Sequence, residues 1–105
     1  MFADYFREMG SEVLETAYGW ANYKFMNDSC YIENIYVKPE YRKKKEASFI
    51  ADEITKIAKE KGCKNLLGST NTKNPSVERS IQVILGYGFK YLSSNEDSIW
   101  YYKEI

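Results

Sequence analysis

Residues 31–48 read YIENIYVKPEYRKKKEAS, and three local patterns follow one another within them. Tyr31 to Val37 alternates β-branched and aromatic residues with polar ones, and Pro39 closes the run because proline cannot donate to a sheet ladder. This predicts a strand with a sharp stop. From Glu46 the period changes: Phe49, Ile50, Ile54, Ile57 and Ala58 recur at helical spacing, and Gly62, after Lys59 and Lys61, ends the pattern. Between strand and helix lies the basic turn Arg42-Lys43-Lys44-Lys45. A helix N-terminus carries unpaired N–H donors and the positive end of the helix dipole, so a strand, a basic turn and a helix in this order form a candidate phosphate site.

The run Val37-Lys-Pro39-Glu40-Tyr41-Arg42, with Ala47 five residues on, resembles the acyl-CoA signature of the GNAT superfamily of N-acetyltransferases. There an Arg or Gln is followed by x-x-Gly-x-Gly or x-x-Gly-x-Ala wrapping the CoA pyrophosphate. Arg42 matches the first position, Lys45 stands where the first glycine belongs, and Ala47 takes the second small position. Tyr87-Gly88-Phe89 resembles the family's late G-F, which precedes its last two strands. The likeness extends over roughly residues 18–105.

Upstream of the central stretch, Phe2, Phe6 and Met9 fall on one helical face with Gly10 after them, predicting a short helix over 2–9. Glu12–Ala17 and Trp20–Met26 read as strands, and Asn27-Asp28-Ser29 turns the chain into the Tyr31 strand. Downstream, Lys64–Ser69 suits a strand parallel to Tyr31–Val37, the helix between them forming the crossover. Pro75 and Ser76 open a second long helix with Val77, Ile81, Ile84 and Leu85 as its apolar face, and Phe89–Leu92 and Ser98–Tyr102 close as two strands. The fold class is therefore α/β (α+β): a GNAT-like, mostly antiparallel twisted sheet with one central parallel pair and about three helices. Residues 1–105 are expected to form a single domain whose N-terminal, acceptor-side half is abbreviated relative to the family.

Composition narrows the chemistry. Fifteen Lys and Arg balance fifteen Asp and Glu over 105 residues, so no global field favours nucleic acid or an acidic membrane surface. Histidine is absent, which removes Ser-His and Cys-His nucleophiles, His zinc sites and a histidine base. Cys30 and Cys63 are too far apart to read as a framework or a metal site, and Cys63 reads as a small buried apolar residue. No apolar run is long enough to cross a bilayer and the opening lacks a secretory layout, so a cytoplasmic location is expected. The aromatics, ten tyrosines among them, sit mostly in strand-like runs and read as packing.

The resemblance implies acetyl transfer from acetyl-CoA, as co-substrate, to an amine, with a base for the ammonium and an acid for the leaving thiolate. On that reading Glu33 is the base. Strict alternation groups Tyr31, Glu33, Ile35 and Val37 on one face of the strand, with Cys30, Ile32, Asn34 and Tyr36 on the other. A carboxylate partly buried beside Ile35 would be a stronger base; the plainer reading is a solvated strand residue facing a Lys or Arg. The family commonly has a tyrosine four residues before the G-F glycine. Here that residue is Ile84, so Tyr87 is the nearest candidate acid. The backbone of Ile35, Tyr36 and Val37 would hold the pantetheine arm, and Arg42, Lys43, Lys44, Lys45, Glu46, Ala47 and Ser48 the phosphates. Lys45 either reaches the phosphates with its ammonium or belongs to a solvated, partner-facing patch. The alternative is a catalytically inactive GNAT-fold binding or assembly module, since the chain also resembles small acetyltransferase-like bacteriophage proteins that serve as virion or host-interaction components. The acceptor, a small molecule or a protein amine, is not readable, and the surplus of aromatics would fit a homodimer.

Overall fold

A computed structural model describes residues 4, 5, 8, 10–43 and 45–105. The helix expected over 2–9 rests on residues outside that set. One six-stranded sheet carries the chain: β1 (Glu12–Glu15), β2 (Gly19–Met26), β3 (Ser29–Val37), β4 (Asn65–Asn71), β5 (Lys90–Ser94) and β6 (Ser98–Glu104), in the order β1-β2-β3-β4-β6-β5. All pairs are antiparallel except β3–β4. Among the described residues there are two α-helices, α1 (Glu46–Glu60) and α2 (Val77–Tyr87), and a 3-10 turn at Pro39–Tyr41, in place of about three helices. The 3-10 turn forms because Pro39 fixes φ at the first position, and Arg42 returns at once to extended backbone.

One core joins both helices to one face of the sheet. Ile50, Ile54 and Ala58 of α1 are fully buried against Ala21, Cys30, Ile32 and Leu66, and Ile81, Ile84 and Tyr87 of α2 pack on the same cluster. Burying an isoleucine of this kind contributes about 2–3 kcal/mol. Phe89 follows α2 and lies against Gly68, where an added Cβ would stand 3.6 Å from its ring. Gly88, at φ 110°, terminates α2 in the left-handed conformation that glycine adopts without strain.

The period-2 reading of β3 fails at one residue. Asn22 pairs with Asn34 but Tyr23 pairs with Ile32, so Glu33 is an extra residue in β3. The bulge resets the alternation: Cys30, Ile32, Ile35 and Val37 share the helix-packed face with Ala21 and Tyr23. Tyr31, Glu33, Asn34 and Tyr36 share the opposite face with Trp20, Asn22 and Lys24. A one-residue insertion exchanges the faces of every later residue, which composition and spacing do not reveal. Among the described residues, no helix is long and apolar enough to cross a membrane.

Candidate functional site

β3 and β4 are paired from Ser29–Asn65 to Tyr31–Leu67 and then separate. The opening is a cleft of about 1540 Å³, lined by β3 from Ile32 to Val37, by Gly68–Asn71 of β4, by the loop and first turn of α1, and by α2. Past Tyr31, β3 has no ladder partner on this side, so the backbone of Ile35, Tyr36 and Val37 borders the cleft. Diverging parallel strands leave such a crevice at their carboxyl ends, where α/β sheets hold ligands.

The mouth is built by the basic loop. Lys45 N-caps α1 at φ 66° and Lys43 lies at φ 63°, both in the left-handed region that favours glycine. The loop thus takes a glycine-type path with lysines, at a cost of about 1–2 kcal/mol each. No described side chain caps α1, and its first internal bond runs from the Phe49 amide to the Lys45 carbonyl. The amides of Glu46, Ala47 and Ser48 therefore open towards the cleft they line. Arg42 donates from Nε to the Val37 carbonyl at 3.0 Å and sits 5.8 Å from the centre of the Tyr36 ring, while Lys43 and Lys45 are exposed. Lys44 lies outside the described residues. Glu46 points elsewhere, accepting a hydrogen bond from Thr16 at 3.2 Å, and Tyr18 stacks on Tyr41 with ring centres 3.9 Å apart, so the β1–β2 turn braces the loop.

Glu33 lines the cleft beyond the divergence, on the face away from the helices. One carboxylate oxygen accepts hydrogen bonds from Ser11 and from Asn22, the latter at 3.3 Å; the other faces the Lys24 ammonium at 3.9 Å. Asn22, only 2% exposed, also accepts from Asn34 at 2.9 Å. Tyr31 closes the base of the opening by a 2.7 Å hydrogen bond between its hydroxyl and that of Ser69, and its ring lies 5.0 Å from that of Trp100. The expected apolar neighbour of Glu33, Ile35, is on the other face because of the bulge.

Tyr87 is the last residue of α2 and lines the cleft. Its hydroxyl donates to Asp52 of α1 at 2.5 Å; burial and that carboxylate push its pKa up to about 12. Lys103 of β6 stands 4.1 Å over the ring. Neither thiol is poised to react: burial, then Cys63, pushes Cys30 up to about 12, and burial raises Cys63 as well. Sequence reading missed Ser11, Asn22, Lys24 and Asp52. Asn22 carried one usable signal, an amide flanked by residues of a predicted core strand, which demands a partner when buried.

Residues 5–89 match the Acetyltransferase (GNAT) family. The chain belongs to the GNAT acetyltransferase family. Its fold is similar to that of the PaiA N-acetyltransferase of Thermoplasma acidophilum, solved in complex with coenzyme A, with a TM-score of 0.74 and 23% identity over 84% of this chain and 54% of that one. A Bacillus anthracis str. Ames protein assigned as a streptothricin acetyltransferase, solved with acetyl coenzyme A, gives 0.76 at 19% identity, covering 91% and 63%. A Bacillus subtilis acetyltransferase in complex with CoA gives 0.75 at 16%, covering 99% and 82%. The chain thus spans about half the length of the first of these GNAT structures and less than two thirds of the second. No curated protein matches its sequence.

Proposed function

We propose that this GNAT domain transfers an acetyl group from acetyl-CoA to an amine. The observation that carries the reading is the cleft itself, which opens where β3 leaves β4 and ends against the uncapped, lysine-lined N-terminus of α1. A diphosphate fits that mouth on two counts: donors and dipole at the helix start, and charge from Arg42, Lys43 and Lys45. Lys44 joins this set by sequence. The edge of β3 that β4 leaves unpaired past Tyr31 suits an amide-bearing arm laid along Ile35 to Val37 as a substitute strand. The acetyl group would then lie near the divergence, within reach of Glu33.

In this reading Glu33 takes the proton of the incoming ammonium, directly or through water, on the carboxylate oxygen that Ser11 and Asn22 leave open. Tyr87 supplies the proton for the departing sulfur. A pKa near 12 keeps its hydroxyl protonated at neutral pH, and delivery requires the hydroxyl to turn away from Asp52. The acceptor would approach over the sheet face bearing Trp20, Tyr31 and Tyr36, opposite the helices.

Calorimetric titration of acetyl-CoA, beside the Arg42→Ala, Lys44→Ala double variant, tests the reading. Micromolar binding that the variant loses is the expected result. No heat at millimolar ligand would overturn it and leave a binding module of the same fold.

A further inference from the structure

An amine stands beside the cleft, next to Glu33 of its lining. Lys24 of β2 stands opposite Tyr31 in the β2–β3 register, at the level where β3 and β4 part. Its Nζ is 3.9 Å from the open carboxylate oxygen of Glu33 and 5.8 Å from the centre of the Tyr31 ring. The contact is longer than a hydrogen bond, the side chain is 38% exposed, and four methylenes separate its nitrogen from the backbone. Nζ can therefore move towards the cleft without any change in the sheet. Lys56 is the internal comparison. It lies closer to a carboxylate, 3.0 Å from Glu53, but that carboxylate does not line the cleft, whereas Glu33 does.

We propose that Lys24 is itself an acceptor, acetylated within its own chain; the proposal rests on the acetyl-CoA reading above. Glu33 takes one proton from the Lys24 ammonium. The neutral nitrogen forms a bond to the acetyl carbonyl carbon, the carbon–sulfur bond breaks, and sulfur leaves with the electron pair. The second proton shed by nitrogen ends on sulfur, giving free CoA thiol and N-acetyl-Lys24, while Glu33 returns its proton to water. The product is uncharged, so the Lys24–Glu33 ion pair is lost and the carboxylate is released to serve another amine.

The test follows incorporation by intact mass and peptide mapping after mixing with acetyl-CoA, with acetyl-CoA binding measured by calorimetry on the same preparation. One acetyl group on Lys24, appearing at a rate independent of protein concentration and well ahead of Lys56, is the expected result. Lys24→Arg should abolish the fast phase, because a guanidinium stays protonated and is not an acceptor. Glu33→Gln should slow it about 100-fold, the range of a lost general base. Binding with Lys24 labelled no faster than Lys56 overturns this inference and leaves the acetyl-CoA reading standing. A rate that scales with protein concentration overturns modification in cis, and absence of binding overturns both.

Discussion

Tyr87 at the end of α2 donates its hydroxyl proton to Asp52 of α1 across 2.5 Å, and this bond joins the two helices that flank the cleft. Lys103 holds the same residue from β6, donating to the Tyr87 carbonyl at 3.2 Å while its ammonium covers the ring. Tyr87 therefore fixes the spacing of α1 and α2 and also lines the cleft.

Tyr87→Phe keeps the ring and removes that bond. Since Asp52 is exposed, the loss should be about 1 kcal/mol in chemical denaturation. The pH dependence has a definite sign. The folded-state pKa is raised from 10.0 to about 12, so the folded chain binds more protons in that interval. The associated stability is present below pH 10 and lost as pH rises towards 12. Cys30 titrates in the same range, so denaturation midpoints should fall over this interval in both proteins, less steeply in the variant.

Lys45→Gly removes a side chain from a left-handed position without asking the backbone to move. Stability should rise by about 1 kcal/mol, read as a higher denaturation midpoint. Acetyl-CoA binding should persist with a weaker dependence on salt, because an exposed cation is gone while the helix-terminal amides remain.

The order of strands and helices was legible because each element repeats its own period: α1 begins at Glu46 and the basic turn lies between strand and helix as the residues imply. The parallel β3–β4 pair followed from the single long crossover between them. Two things were not legible. The bulge at Glu33 adds a residue without altering local composition, and it decides which side chains meet the carboxylate. The left-handed path at Lys43 and Lys45 is invisible for the complementary reason: lysine carries no preference for it, and only the surrounding structure enforces the conformation.

Gly19 is confined by close approach. A Cβ there would come within 2.2 Å of the Tyr36 carbonyl oxygen and 3.1 Å of the Val37 Cα, both backbone. Gly19→Ala must therefore push β2 away from the end of β3 and should cost about 3 kcal/mol. Tyr36 and Val37 also border the cleft, so calorimetry on the folded fraction should show weaker acetyl-CoA binding. Ala at the unconstrained Gly86, which meets nothing within 4 Å, is the control that should leave both readings close to the parent protein.

Glu33→Gln and Asn22→Ala separate charge from support at the same point. Glutamine retains an oxygen for Ser11 and Asn22 and loses only the charge facing Lys24, a loose and partly exposed pair worth less than about 1 kcal/mol. Its stability should match the parent closely, while kcat/KM for an amine acceptor falls about 100-fold. Asn22→Ala does the reverse. The amide is buried and bridges Glu33 to Asn34, so its removal should cost about 2 kcal/mol. The carboxylate survives without its anchor, and a modest fall in kcat is expected. If both variants instead lost only stability and kept full turnover, Glu33 would be a structural member of the bulge and the proton would have to leave by another route.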